Sequence, residues 1–431
     1  MKMKRKIIVM FVCCMLMLSA CQSYVNEDET YNNIQNETKA DDITSQYASL
    51  SEIRESKDEV MEQAYNGKWS NLHFERFDPY LSDEDEIHNI SWEDKNYKGL
   101  TGIDLFKELL KIVEYYANDY PNGEFIWEDK DEGFRNDWKY SKVEEVLKTG
   151  EVPYECDLSY RDKSEKEYYL RNFVSVNSIF NMLIVNHRKI TNTALEPMIE
   201  EGSYIGQGVP GMNEWFLETV KVYLSNATDG SLDDEWQLLD GKMSVRECID
   251  FVEEYMNTEM IYETNPDVRA KVYLVRVLKV TDDIYAYSCM VSRTMYGLTT
   301  EVYPSSYGDT QEGIREDGGL VELIEHNGID YFGYIPLATK IEKKEEPITE
   351  IISLDNAFTL LSNRIGENST YKILSAELGY RLTERYGDGY NYGEGTPIWR
   401  IMTMNENDNK NYVFEIDCVT GKIRSRHKKL Y

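Results

Sequence analysis

The chain has 431 residues and carries 78 Asp and Glu against 47 Lys and Arg, a formal net charge of −31. A body this acidic excludes a nucleic-acid-binding face, which needs clustered cations for the phosphates, and flat adhesion to anionic lipid. Acidity of this kind chiefly keeps a protein soluble and otherwise suits cationic partners such as basic peptides or metal ions. At ~100–200 residues per domain the length predicts about two to four domains.

Lys2, Lys4, Arg5 and Lys6 precede an uncharged apolar run, Ile7 to Leu18. That run is shorter than the ~20 residues of a spanning helix and fits the apolar core of a secretory signal, typically ~7–15 residues. It ends in Leu18-Ser19-Ala20-Cys21, which resembles the lipobox of bacterial lipoproteins. The resemblance implies removal of residues 1–20, a lipid on the Cys21 sulfur, and attachment to the extracytoplasmic face of the cell membrane. Two or three acyl chains hold a protein stably where one binds marginally, at ~0.8 kcal/mol per buried CH₂. Cys21 is thus expected to be a tether, and the membrane a partner through it.

Residues 21–50 are rich in Asn, Asp, Glu and Thr with few large apolar side chains, a composition that predicts a disordered tether. Order is expected from Ser51, in a short amphipathic helix. "TGIDLFKELLKIVEYYANDYP" predicts a helix from Thr101, with Ile103, Phe106, Leu110 and Val113 recurring at three and four residues. A second helix is expected over Ser141–Lys148, stopped by Gly150. "YYLRNFVSVNSIFNMLIV" reads as either buried strands or a helix, and "NEWFLETVKVYL" leans helical. The 51–240 region is therefore of mixed α/β character and uncertain fold.

The 241–340 region reads as a helix plus an antiparallel meander. Ser244 and Glu247 have capping-box spacing, and Val245, Ile249, Val252 and Met256 form one apolar side. "AKVYLVRVLKV", "IYAYSCMVSR" and "MYGLTTEVY" are strand-like, and Asn327-Gly328 between "LVELIEH" and "IDYFGYI" is a strong hairpin signal. The order recurs over 350–431: "SLDNAFTLLSNRIG" matches "SVRECIDFVEEYMN" in polarity, pairing Ser244 with Ser353, Val245 with Leu354, Cys248 with Ala357, Ile249 with Phe358 and Val252 with Leu361. The fold class expected is α+β, with amphipathic helices packed on antiparallel sheets in at least two helix-plus-meander modules.

"ISLDNAF", "TPIWRI" and "YVFEIDCVTGKI" make residues 351–424 resemble the PepSY group of extracytoplasmic modules and the related accessory regulators of cell-wall sensor kinases. The order of the two modules also resembles uncharacterised lipoproteins of low-GC Gram-positive bacteria. The PepSY resemblance implies a non-enzymatic binding or regulatory role toward another envelope protein. The insertion "RYGDGYNYGEGT" departs from the compact pattern.

Familiar catalytic signatures are not found. Gly206, Gly208 and Gly211 satisfy Gly-x-Gly-x-x-Gly, but the residues before them do not read as the buried parallel strand a dinucleotide site needs. The five histidines make no His-Glu-x-x-His, and no Gly-x-Ser-x-Gly elbow occurs. Asp83-Glu84-Asp85-Glu86 and "NENDNKN" at 405–411 lack the glycine and twelfth-position Glu of an EF-hand loop. No catalytic, cofactor or metal residue is assigned, which leaves Cys21 as the one site residue. The alternative function is a surface carbohydrate-binding protein or glycan hydrolase using acidic and aromatic residues in 51–240. Cys156, Cys248, Cys289 and Cys418 stay outside the cytoplasm on this reading, and their pairing is open.

Overall fold

The computed structural model describes residues 47–94, 103–104, 106–107, 110–111, 114, 123–129, 139–150, 157–162, 172–177, 182–187, 218–258, 267–300, 313–314, 319–326, 328–336, 339–366, 368–387 and 390–428. Residues from Gln46 onward form one compact unit, in which the expected segments 51–240, 241–340 and 350–431 share their sheets. Strand β1 (Ile87–Asp94) shows this most directly, since it comes from the first segment and pairs within the last.

The architecture mixes helices with a predominantly antiparallel sheet, as the α+β class requires. One run of strands is ordered β2 (Glu218–Leu224), β3 (Val268–Lys279), β4 (Tyr285–Met295), β5 (Gly319–Glu325) and β6 (Gly328–Pro336), each antiparallel to the next. It continues backward in sequence through Met182–His187, Asn172–Asn177 and Asp157–Asp162 to Gly123–Asp129, which pairs on its other edge with Lys139–Lys142. The second run is built on β7 (Thr339–Ile348), β8 (Tyr371–Gly387), β9 (Tyr390–Asn405), β10 (Asn411–Asp417) and β11 (Ile423–Lys428). One edge of β9 pairs with β8; the other is shared, with β1 on Tyr392–Gly395 and β10 on Ile398–Met404. The far edge of β1 pairs with β7.

Helices cover these sheets for the reasons the sequence sets out. Around α1 (Leu50–Tyr65), Ser49 and Glu52 form a reciprocal capping box. Short α2 spans Val143–Thr149, with Gly150 just beyond it at φ +72°. In α3 (Val245–Thr258) the Glu247 amide donates to Ser244 Oγ while the Ser244 amide donates to Glu247 Oε2. For α4 (Leu354–Ile365) the cap is Ser353 and Gly366 ends it. The matched positions Val245 and Leu354, Cys248 and Ala357, Ile249 and Phe358, and Val252 and Leu361 are all buried. One core lies under α3 against β3 and β4, another under α1 and α4 against β8 and β9, and Ile341 packs against both.

The structure departs from the sequence reading in three places and decides a fourth that the sequence leaves open. Tyr47–Ala48 already pairs with Ile351–Ile352, inside what reads as the tether, and the Tyr47 hydroxyl donates to the Val419 carbonyl. Ser141 sits in the strand Lys139–Lys142, and α2 begins at Val143. Of the two readings open for "YYLRNFVSVNSIFNMLIV", the strand one holds: Asn172–Asn177 and Met182–His187 pair antiparallel. The run ending in "ETVKVYL" is strand β2, because β3 offers it an open edge and tertiary pairing overrides helical periodicity. Helical residues 103, 104, 106, 107, 110, 111 and 114 agree with the predicted helix, with Phe106 and Leu110 buried.

Pairing across β8, β9, β10 and β11 aligns Leu378, Trp399, Ile416 and Ile423 in one row. Successive residues alternate faces, so the adjacent row, Glu377, Arg400, Glu415 and Arg424, lies on the opposite side. Trp399 is fully buried and its indole N–H donates to the Ile352 carbonyl at 2.7 Å, pinning the entry to α4. Trp399→Phe should therefore cost about 2–4 kcal/mol from the void plus an unsatisfied buried carbonyl, read as a lower urea midpoint with unchanged slope.

Candidate functional site

The β4 strand ends in a two-residue turn, with Met295 paired to Leu298. Its central residues, Tyr296 and Gly297, have φ of +46° and +72°, the double left-handed geometry of a type I′ hairpin turn. A tyrosine is unusual there and tolerates that φ at some cost. The Tyr296 ring lies under the Lys343 ammonium, 4.6 Å from its centroid. Gly297 is required twice over: beyond its φ, a Cβ would come within 2.5 Å of Ser82 Oγ. Ser82 is fully buried and its hydroxyl accepts from the Glu84 amide. Arg54 holds the same loop by donating to the Ser82 and Glu84 carbonyls.

Between this turn, the loop from Tyr80 to Glu84, helix α3 and the start of β3 lies a cleft of about 350 Å³. Its rim carries the exposed side chains of Asp83, Glu84, Asp267 and Arg269. The half-buried residues Tyr80, Glu253, Asn257, Lys271 and Tyr296 form its walls. Tyr80 donates from its hydroxyl to the Gly297 carbonyl at 3.0 Å, and the Lys271 ammonium stands 4.5 Å from its ring centroid. Burial holds the Tyr80 phenol well above the usual tyrosine range, with Glu377, Asp83 and Glu253 adding to the rise. Burial likewise raises Tyr296, assisted by Asp267.

The inner wall is the edge of a strand. Strand β2 pairs with β3 only from Leu274 onward, and beyond the Ser225 amide on the Tyr273 carbonyl the chain turns away to Asp78. Among the described residues no strand pairs with Val268–Val272 on that side. Side chains take its place. Asn257 Oδ1 accepts from the Ala270 amide at 2.8 Å and Asn257 Nδ2 donates to the Ala270 carbonyl at 3.1 Å. One turn earlier on α3, Glu253 Oε1 accepts from the Val272 amide at 2.9 Å. Arg269 Nη1 donates to the Val268 carbonyl at 2.9 Å. Desolvation raises the Glu253 carboxyl above the ordinary glutamate value; Lys271 and the Val272 amide oppose that rise.

Of the residues singled out in the sequence, Asp83 and Glu84 reach the cleft, and Asp85 and Glu86 are exposed beyond it. Elsewhere on the surface, Asp234 accepts from Lys221 Nζ and the Tyr223 hydroxyl. Asp282 pairs with Lys279 in a turn, and 405–411 joins β9 to β10. His326 is held by Asp240 at 2.8 Å, and among the described residues no cluster of His, Cys, Asp and Glu could hold a metal ion. Cys248, Cys289 and Cys418 are buried free thiols, with Cys248 Sγ 3.4 Å from Cys289 Sγ. Cys21, Cys156, Gly206, Gly208 and Gly211 lie outside the described residues. Among the described residues no helix is long and apolar enough to cross a membrane.

No protein-family model and no curated protein matches the chain. Among solved structures, an uncharacterized protein from Eubacterium rectale ATCC 33656, a crystal structure at 1.45 Å resolution, is similar over 84% of this chain and 91% of its own, with 11% identity and a TM-score of 0.47.

Two substitutions test the cleft. Gly297→Ala should cost about 1–3 kcal/mol, since φ and contact both oppose a Cβ; thermal melting reads it. Glu253→Gln tests the raised carboxyl. A folded-state pKa above the unfolded one means that stability from Glu253 is complete below the ordinary glutamate value and is lost as pH rises through the raised one. The variant keeps an acceptor for Val272 without a charge to desolvate. It should melt close to the wild type at about pH 4 and above it at about pH 8.

Proposed function

We propose that the chain is a lipid-anchored extracytoplasmic protein, tethered through Cys21, that binds and regulates another envelope protein through the cleft beside β3. The supporting observation is the division of labour in that cleft. Its inward groups are already committed to the fold: Tyr80 to Gly297, Asn257 to Ala270 and Glu253 to Val272. The carboxylates of Asp83, Glu84 and Asp267 stand on an exposed rim. Charged rims of this kind steer and select a partner.

The two capped helices and the strands that follow them are, on this proposal, two copies of one helix-plus-meander module. The equivalent burial of Val245 and Leu354, Cys248 and Ala357, Ile249 and Phe358, and Val252 and Leu361 supports the duplication. The second copy is the PepSY-like module, and the cleft lies beside the first.

One observation favours a second reading, a surface carbohydrate-binding protein or glycan hydrolase. Glu253 lines a cleft with Tyr80 and Tyr296, and burial raises its carboxyl above the ordinary glutamate value, the direction a general acid for glycoside cleavage needs.

Cys21→Ser should release the protein from membranes or block its processing; retention of the variant in the membrane fraction rejects the tether. A photo-crosslinking residue at Asp83, in intact cells, should capture one discrete envelope protein. Capture of wall glycan instead, or glycan cleavage abolished by Glu253→Gln, would select the second reading.

A further inference from the structure

The geometry points to the Val268–Val272 edge of β3 as an acceptor for an extended, cationic polypeptide segment, which adds as a strand after displacing Asn257 and Glu253. This names the partner chemistry of the cleft and rests on the binding-module reading above. An unpaired strand edge attracts another strand, through main-chain hydrogen bonds that do not depend on sequence. Here the described groups of that edge are not left to water: the amide and carbonyl of Ala270 and the amide of Val272 are each met by a side chain of α3. Asn257 presents one acceptor and one donor to Ala270, the pair that a neighbouring strand's peptide would present. It is a stand-in for a strand, held by a rotamer rather than by a backbone.

Space and charge agree with this occupant. The cleft is lined by residues 267–271 of the same edge, and the carboxylates of Asp83, Glu84, Glu253 and Asp267 in it outnumber its two cations, Arg269 and Lys271. An added strand would project alternate side chains on either face, and basic ones would meet those carboxylates on a chain whose net charge is −31. Displacement is local, because Glu253 and Asn257 lie one turn apart on α3 and can leave the edge by side-chain rotation while the helix stays packed through Val252 and Met256.

The probe is a fluorescent acetyl-Lys-Val-Lys-Val-Lys-Val-amide, titrated against the full mature chain and followed by polarisation, with hydrogen exchange of residues 268–272 as the structural readout. Saturable binding with slowed exchange at that edge is expected. Asn257→Ala removes the competitor for Ala270 and should tighten binding about tenfold, the worth of two net hydrogen bonds. The same peptide N-methylated on the amides of one edge should lose binding to the wild type, a measurement that needs no variant to fold. The Glu-Val counterpart should bind more weakly, and Asp83→Asn with Glu84→Gln should narrow that difference. The inference is overturned if Asn257→Ala weakens binding, if N-methylation has no effect, or if neither protein binds the peptide. It is equally overturned if Asn257→Ala forms dimers in sedimentation without binding it, which would make Asn257 a guard against self-association. Failure of the peptide alongside capture of an envelope protein from Asp83 would leave the binding-module reading standing and remove only the strand-addition mode.

Discussion

One buried guanidinium joins the two halves of this fold. Arg400, on β9, donates from Nη1 to Glu377 at 2.6 Å and from Nη2 to the Tyr380 carbonyl at 2.9 Å. The same Nη1 lies 3.4 Å from Thr299 Oγ1 and from the Thr300 carbonyl, on the segment that leaves the first sheet. There Thr299 bridges in parallel to Gly379, an approach so close that a Cβ on Gly379 would fall 2.5 Å from the Thr299 carbonyl. An ion taken out of water is costly unless it is paired and its donors are used. Arg400 spends its ion pair and its shorter carbonyl bond on β8 and reaches Thr299 and Thr300 with the longer Nη1 contacts, so its donors are used most fully when the two runs of strands meet in this arrangement.

The cleft is a consequence of that joint. Because Thr299 is drawn toward Gly379, the strand before it must reverse in two residues, and the turn falls on Tyr296 and Gly297. That turn receives the Tyr80 hydroxyl and the buried Ser82. Tyr80 is itself tied to the second sheet through the Ala376 carbonyl and the Leu378 amide. At the other end of this short path, Phe77 is buried and bridges to Ala227. The path from Phe77 to β8 is therefore fixed at both ends. Strand β2 has to leave β3 at Leu224 to reach it, as the Asp78 amide on the Asn226 carbonyl shows. What remains is an edge of β3 that no described strand covers.

Much of the fold is legible in the sequence, and the legible parts share a cause. Ser49, Ser244 and Ser353 each start a helix by bonding within three residues, and the strands of 268–295 and 371–417 show themselves by apolar content and turn residues close at hand. Local chemistry of this kind is written in consecutive residues. The cleft is not. Tyr80, Glu253, Arg269 and Tyr296 come from four separate stretches, and only the pairing of β3, β4 and β8 brings them together. Asp83 and Glu84 stand out in the sequence only as a failed calcium loop, because a charge run carries no mark of what it will face. Two signals point toward the cleft all the same. Tyr296-Gly297 after a strand is a two-residue turn in the wrong place for a continuous "MYGLTTEVY" strand, and Glu253 with Asn257 puts two polar groups one turn apart on a helix.

Sealing an edge with side chains differs physically from sealing it with a strand. A paired strand gives up many cooperative hydrogen bonds before its partner is exposed, whereas Asn257 and Glu253 yield theirs by turning about their own side-chain bonds. Ala270 and the Val272 amide are satisfied in the resting state either way, so the edge stays protected against indiscriminate pairing. Glu253 adds a bias, since burial disfavours its charged form and so lowers the cost of moving its carboxylate outward to water at neutral pH. The arrangement closes the edge without making closure hard to undo, which is the property a surface needs if it is to stay soluble alone and still accept a strand.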